Sequence, residues 1–593
     1  MPEAGLAARE EAAAEWVLPT VLPEAVETLR RDLNLERPVA AVLSNRGYRD
    51  PAAAREFLFP SIDSLHDPLE MRDMDRAVAR ILDAVRKGER ILIYGDYDVD
   101  GACSIVILKK AIEILGGRAE HYIPHRVREG YGMRAEVMEQ AALEGVRLVV
   151  SVDTGIRAGQ VVEKAHAAGM DVIVTDHHLP EAELPPALAV LNPNRPDCAY
   201  PNKHLCGAGV TLKLVEALLK ESGLGEKRRR ALLASFLKPV AIATVADIVP
   251  LTGENRSIVQ HGLSGLQNVR NAGLKSLLAV AGFAEGECPS AGQVAFRIAP
   301  RINAAGRMAT AHEVVELFLT EDPERARVLA ARLDAWNRER QQAEAEIVET
   351  ILKECEQAPE AAQAPALVFA GADWHPGVLG IVAGRLAERY CRPVFVLSEA
   401  ASKSDGECLL SGSGRSIPSF HLLEALESMS ELFVRFGGHR QAAGVTLPSA
   451  HLAEFRRRLE QVATARLAPG DLRPRYEVDA VVSFPELNER AIRQLSLLGP
   501  FGFGNPVPLL YASEAEVAGP VKALKEGKHF AVPLRHQGRL LIAKAWNLAS
   551  RAALLTPGVK VDVLFQIEED EYSRKLGYGS WQISLKDIRT CVH

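Results

Sequence analysis

The sequence lacks most of the features that would quickly assign a function. Its 593 residues carry eight cysteines but no Cys-x-x-Cys, so neither a zinc knuckle nor a thioredoxin-like pair is indicated. Cys198, His204 and Cys206 lie close together, but no fourth ligand stands near them to complete a zinc site. The scattered thiols read as reduced cysteines of a cytoplasmic protein. No apolar run approaches the ~20 residues that span a bilayer. The start, with Glu3, Arg9, Glu10 and Glu11, lacks the basic-then-apolar pattern of a secretory signal. Nor is there an excess of positive charge: 70 Lys and Arg stand against 77 Asp and Glu, a formal net charge of −7. A bulk polycation is excluded, and any nucleic-acid contact has to come from local basic patches. With 47% hydrophobic and 25% charged residues, the composition is that of a globular chain of several domains.

What is present begins at Ile91-Leu92-Ile93-Tyr94-Gly95-Asp96-Tyr97-Asp98-Val99-Asp100-Gly101. An apolar run of strand length ends in Gly95, and three aspartates come after it at alternate positions. Such carboxylates can converge on a hard cation, which prefers oxygen ligands. They can equally be turn formers and helix caps.

The surrounding pattern favours the cation. From residue 91 onward, expected strands (91–94, 119–123, 147–152, 171–175) alternate with expected helices (102–115, 134–144, 157–168). That alternation predicts an α/β fold with a mainly parallel sheet, whose ligands bind beyond the carboxyl ends of its strands. There the sequence places Asp153-Thr154-Gly155 after Leu148–Val152, and Asp176-His177-His178 after Asp171–Thr175. Asp247 interrupts the apolar run Val240–Val249 and is expected at the same edge. Carboxylates with imidazoles and no thiolate select Mn²⁺ or Mg²⁺. Five aspartates and a histidine exceed the needs of one octahedral ion, so two ions are expected, with Asp153 bridging them. Such a pair suits phosphoryl displacement, activating a water and stabilising the leaving oxygen.

These four ordered motifs resemble those of the DHH phosphoesterase superfamily, which includes manganese pyrophosphatases, nanoRNA and cyclic-dinucleotide phosphodiesterases, and the bacterial single-stranded-DNA exonuclease family RecJ. Four further motifs are similar to the RecJ branch: His125–Gly132, Arg301–Arg307, Asp373–Gly377 and Gly499–Pro506. With them the resemblance extends from about residue 40 to the C-terminus. It implies that Asp96, Asp98, Asp100, Asp153, His177 and Asp247 bind the ions, that His178 faces the scissile phosphate, and that Asp176 orients an imidazole. Relatives such as the pyrophosphatases carry a histidine where this chain has Tyr94, so the first ion's ligands depart from that pattern.

The expected organisation is an N-terminal extension (1–45), a catalytic domain (46–320), a long connecting helix (321–358), a smaller α/β lobe (359–468) and an OB-like β-barrel (469–593). The helix opens on Asp322-Pro323 and continues without Gly or Pro through Arg332, Arg338, Arg340 and Gln341. Its arginines suit either nucleic acid or an ordinary solvated face. In the smaller lobe, Ser411–Ser416 reads as a phosphate cradle of small residues with an arginine. Gly437–Gly444 is similar to the glycine–histidine motif of the DHH-associated domain. The resemblance places Arg126, Ser413, Arg415 and His439 at backbone phosphates near a 5′ end, and Arg301 and Arg307 join them as candidates. In the tail, Lys522, Lys525, Lys528, Arg535, Arg539 and Lys544 are interleaved with Phe530 and Trp546, as in strands that stack single-stranded bases.

The resemblance implies 5′→3′ hydrolysis of single-stranded DNA to 5′-mononucleotides, in recombination and repair, with two Mn²⁺ or Mg²⁺ ions at the carboxylate site. The resemblance further implies a cytoplasmic monomer with no membrane association, working with single-strand-binding protein and a helicase. The rival readings are a short-oligonucleotide phosphodiesterase and a non-catalytic DNA-binding scaffold. The long helix and basic tail stand against the first, the complete ligand set against the second.

Overall fold

The computed structural model describes residues 14–126, 128–130, 132–399, 408–524, 527–569 and 581–591. By contact the chain forms two compact units, one of residues 66–249 and 261–473, the other of 1–65, 250–260 and 474–593.

The first unit is built on a five-stranded parallel sheet. Its order in space is Arg118–Tyr122, Arg90–Tyr94, Val146–Val152, Asp171–Thr175, Ala189–Leu191. The chain leaves Arg90–Tyr94 for the strand on one side and then crosses to Val146–Val152 on the other. The sheet therefore reverses its order between those two strands, and a crevice opens beyond their carboxyl ends. Register sets the height at which the chain leaves each strand. Tyr94 is paired with Ser151 and Val152 with Thr175, so Asp96, Asp153 and Asp176 emerge at the same height. The central strands read as continuous Val, Ile and Leu because helices cover both faces, and Ile93, Val149, Val150, Val172 and Ile173 are fully buried.

Asp247 reaches this edge from a helix end. Most of the run Val240–Val249 lies in a 21-residue helix, Glu226–Ala246, and Asp247 is its C-cap. Val240–Thr244 is buried on every side, and short apolar runs of that kind do not distinguish helix from strand.

The expected long helix is present as Pro323–Gln357, 35 residues with Asp322 accepting from the Glu324 amide. Its arginines are committed to acids. Arg332 pairs with Glu313, Arg338 with Asp334, and buried Arg340 donates to Glu344 at 2.8 Å and Asn337 at 2.9 Å. The smaller lobe after it is a five-stranded mixed sheet ordered Arg435–Gly438, Ala442–Pro448, Leu409–Arg415, Val394–Glu399, Leu367–Gly371.

In the second unit, strands Leu510–Val517, Lys560–Glu569, Trp581–Thr590, Arg539–Ala545 and Phe530–His536 pair in turn, and the last pairs back to the first. This closes a five-stranded barrel. The two-residue strand Lys522–Ala523 pairs at the edge, beside Phe530–His536. The N-terminal segment shares this barrel's core. Val26, Leu29, Val39, Val42 and Phe57 pack in one cluster with Phe484, Phe530 and Phe565, and Glu15–Val17 pairs in parallel with Arg475–Glu477. Fully buried Arg256 holds the unit's pieces together. Its guanidinium donates to the carbonyls of Phe57, Leu497, Leu498 and Gly499 and lies 3.9 Å from the Phe57 ring centre.

Candidate metal centre

The aspartate run does two jobs at once. Asp98 Oδ1 caps the helix Val99–Ile114, accepting from the amides of Asp100 at 2.9 Å and Gly101 at 3.1 Å. Its other oxygen remains available. Gly101 is required because a Cβ there would lie 2.5 Å from the Asp96 carbonyl oxygen, so only glycine lets the first turn fold back on the strand end.

Among the described residues, three overlapping groups place one donor atom per residue within 4.8 Å of one another: Asp96, Asp98 and Asp153; Asp100, His177 and Asp247; and Asp153, His177 and His178. All six expected ligands are therefore brought together, with Asp153 and His177 each in two groups. His177 Nε2 lies 3.3 Å from Asp153 Oδ1 and 3.8 Å from Asp100 Oδ2, and its Nδ1 lies 3.7 Å from Asp247 Oδ2. No cysteine enters these groups. Cys206 instead caps the helix Gly207–Glu221 through Sγ, which removes the zinc reading. Tyr94 takes no part either, since its side chain is buried and its hydroxyl donates to the Gly132 carbonyl at 3.0 Å.

The donor set fits divalent cations by its electrostatics. Asp96 Oδ1, Asp153 Oδ1 and Asp247 Oδ2 are buried and accept no hydrogen bond. Burial, and then the neighbouring carboxylates, pushes Asp247 up to about 9 and holds Asp96 and Asp153 well above the usual carboxylate range. Buried carboxylates that repel one another and lack donors require positive charge between them.

Other groups shape the centre from behind. Asp176 Oδ1 accepts from the amides of His177 and His178 and lies 2.7 Å from His178 Nδ1, and its Oδ2 accepts from the Ile156 amide. Burial opposes the imidazolium of His178, but the Asp176 contact outweighs it and leaves the pKa raised. Asp176 is correspondingly lowered despite its burial. Sequence reasoning missed three contributors. The amides of Gly207 and Ala208 clamp Asp100 at 2.6 and 2.7 Å, and a Cβ on Gly207 would lie 2.7 Å from Asp153. Asn192 and Asn194 tie down the carbonyls of His178 and His177. The signals were there in Gly-Ala-Gly before an apolar helix and Asn-Pro-Asn after a strand, but neither pattern announces a metal centre.

An arginine cluster adjoins the acids. Burial first, then Arg126, Arg340 and Arg415, lowers Arg307 to about 10; burial and then Arg126 lower Arg415. Arg126 stacks over the Tyr97 ring at 4.8 Å, and Arg307 donates to the Gly377 carbonyl at 2.9 Å. Mutually repelling, half-buried guanidinium groups need an anion. Ser413 and Arg415 face Gly380 of the helix Leu379–Tyr390, and His439 lies near His178 and Arg157. Two expectations change here. Ser411–Arg415 is an inner strand, not a cradle loop. Its ladder consumes the backbone amides, and its glycines permit contact with the Val396 carbonyl and the Phe395 ring. Arg301 does not join the cluster, because Asp334 takes its guanidinium at 2.9 Å.

Within the barrel, Lys522, Lys528 and Arg535 are exposed, although Arg535 contacts Glu516 at 3.4 Å. Lys525 lies outside the described residues. Trp546 is 43% exposed and sits edge-on to His529. Phe530 is corrected from stacking aromatic to core residue, being 2% exposed, since its strand alternation points it inward.

Three family models match the chain in order: the N-terminal domain of the DHH family over residues 90–244, the DHHA1 domain over 363–465 and the RecJ OB domain over 478–587. The chain is 36% identical to the single-stranded-DNA-specific exonuclease RecJ of Salmonella typhimurium over 95% of its own length and 98% of that protein. It belongs to the RecJ family. The Bacillus subtilis RecJ is 35% identical over 96% of this chain and 70% of its own length. The crystal structure of the Thermus thermophilus RecJ in complex with Mn²⁺ superposes with a TM-score of 0.82, at 31% identity, over 98% of this chain and 80% of that one. A Mg²⁺ complex from the same source gives 0.76 at 30% identity, over 98% of this chain and 79% of that one.

Proposed function

We propose that this RecJ-family protein is a single-stranded-DNA-specific exonuclease that works 5′→3′ and releases 5′-mononucleotides. One observation carries the reading: overlapping Asp and His groups with unpartnered buried carboxylate oxygens stand beside a cluster of half-buried arginines. A centre that attracts cations next to one that attracts anions suits a phosphodiester.

In this reading Asp96 and Asp98 would hold one divalent ion and Asp100, His177 and Asp247 a second, with Asp153 available to both. Mn²⁺ or Mg²⁺ bound there supplies Lewis acidity toward water and the phosphoryl oxygens. The chain does the rest. Arg126, Arg307, Arg415, Ser413 and His439 hold the 5′-terminal phosphate and so set the cut one nucleotide in. His178, whose imidazolium Asp176 favours, donates toward the scissile phosphate. The barrel retains the strand through Lys522, Lys525, Lys528, Arg535 and Trp546. Residues 46–320 carry the chemistry, 321–358 connect, 359–468 grip phosphate and 469–593 hold DNA. A cytoplasmic monomer cooperating with single-strand-binding protein and a helicase completes the proposal.

The test compares wild type with Asp153→Ala on 5′-labelled and 3′-labelled DNA and RNA strands in Mn²⁺ and Mg²⁺. Wild type should release mononucleotides from the 5′ end of DNA, and the variant should bind the strand but not cut it. Undiminished manganese-dependent cleavage by the variant would sink the assignment.

A further inference from the structure

Residues 291–308 run as one helical segment, but Val294–Ile298 within it is a π-helical turn. Such a turn inserts an extra residue into an α-helix and is frequent at functional sites. Here its flanks are pinned. Val294 and Ile298 are fully buried, and Arg297 donates to the carbonyls of Ala281 and Gly282 with its guanidinium 4.0 Å from the Phe283 ring centre. Between these buried flanks Phe296 is 83% exposed.

Phe296 is the one exposed large apolar residue of segment 291–308, and the nearest others along the chain among the described residues are Ile248 and Val328, so the segment itself carries no apolar stripe for a protein partner. The same helical segment continues into Arg307, eleven residues and about 16 Å further on at 1.5 Å per residue. The intervening arginine, Arg301, is bound to Asp334. A single exposed aromatic face about 16 Å along the helix from a phosphate-gripping arginine suits the planar face of one nucleobase. We propose that Phe296 is a stacking platform for a base of the single strand whose 5′ phosphate Arg307 holds. The distance corresponds to about five nucleotides at the ~3.4 Å spacing of a stacked strand. This inference rests on the proposed function.

The experiment uses the full chain without divalent metal, so that nothing is cut, and measures equilibrium binding of a 5′-phosphorylated DNA 12-mer and a 5′-phosphorylated dinucleotide over a salt series. Because Phe296 is exposed, Phe296→Ala should fold normally. It should bind the 12-mer about tenfold more weakly, an effect in the range of one lost stacked base. Dinucleotide affinity should change less than about twofold, since the dinucleotide is too short to reach the ring. The slope of log affinity against log salt should be unchanged, because stacking neutralises no phosphate. Phe296→Trp should restore 12-mer binding. Equal 12-mer affinity in wild type and Phe296→Ala, an equal loss on both ligands, or a reduced salt slope overturns the inference while leaving the exonuclease reading intact. A wild type that binds neither ligand overturns both.

Discussion

Asp176 Oδ1 lies 2.7 Å from His178 Nδ1 while also accepting the backbone amides of both His177 and His178. One carboxylate therefore fixes the turn that presents two imidazoles and favours the imidazolium of the second. Asp176→Asn keeps the shape but loses the charge. Partners of this kind are typically worth about 10–100-fold in activity or metal affinity. The variant should retain the wild-type melting temperature within a few degrees and lose activity by that factor. Wild-type turnover would show that His178 needs no such support.

The carboxylates at the crevice make a pH-dependent demand. Asp96, Asp153 and Asp247 have folded pKa values above the ordinary 3.8, Asp247 at about 9, so the folded metal-free state holds protons more tightly than the unfolded one. Their contribution to stability is present below pH ~4 and is lost as pH rises toward 9. Divalent metal binds the deprotonated groups and reverses the trend. At a hundredfold excess over Kd it adds about 2.7 kcal/mol. Melting curves in EDTA and in Mn²⁺ should show a larger metal-induced rise at pH 8.5 than at pH 5.5. An equal rise at both pH values would refute the link.

Arg415 is half-buried beside Arg126 and has no carboxylate partner among the described ion pairs. Arg415→Met should relieve the repulsion and leave stability unchanged or slightly raised. Discrimination between 5′-phosphorylated and 5′-hydroxyl strands should fall by about tenfold or more, as expected for a lost hydrogen bond to a charged group. Kinetics on the two strands measures this directly.

The barrel aromatics should separate cleanly. Phe530→Ala opens a cavity in the core and should cost about 3–5 kcal/mol, visible in urea unfolding. Trp546→Ala should leave stability nearly unchanged and weaken single-strand binding by about 1–3 kcal/mol. The opposite pattern would restore the stacking role to Phe530.

Much of the centre was legible in the chain because its parts are local. A parallel strand ending in Asp-x-Asp-x-Asp, a second in Asp-Thr-Gly and a third in Asp-His-His each carry their own signal, and the rule of carboxyl-end crevices joins them. The long helix was equally legible from Asp322-Pro323 and an uninterrupted helical composition, and its observed bounds are Pro323–Gln357. What failed depended on surroundings. Ser411–Arg415 looks like a loop because glycine and serine are turn residues, yet close approach of the Phe395 ring and the Val396 backbone makes the same glycines necessary in a strand. Phe530 opens one strand and Trp546 directly follows another, both in basic context, and only the tertiary structure buries the first and leaves the second 43% exposed.

The sequence by itself determined which chemical groups are present and on which strand ends or helices they sit, because backbone periodicity and turn chemistry act over a few residues. The tertiary structure alone decided which of those groups are free to act. It gave Arg301 to Asp334, locked Tyr94 on Gly132, brought Asp247 in on a helix end and turned Phe296 out. Those outcomes depend on partners tens to hundreds of residues away or on an inserted helical residue, and no local pattern encodes which partner a side chain will meet.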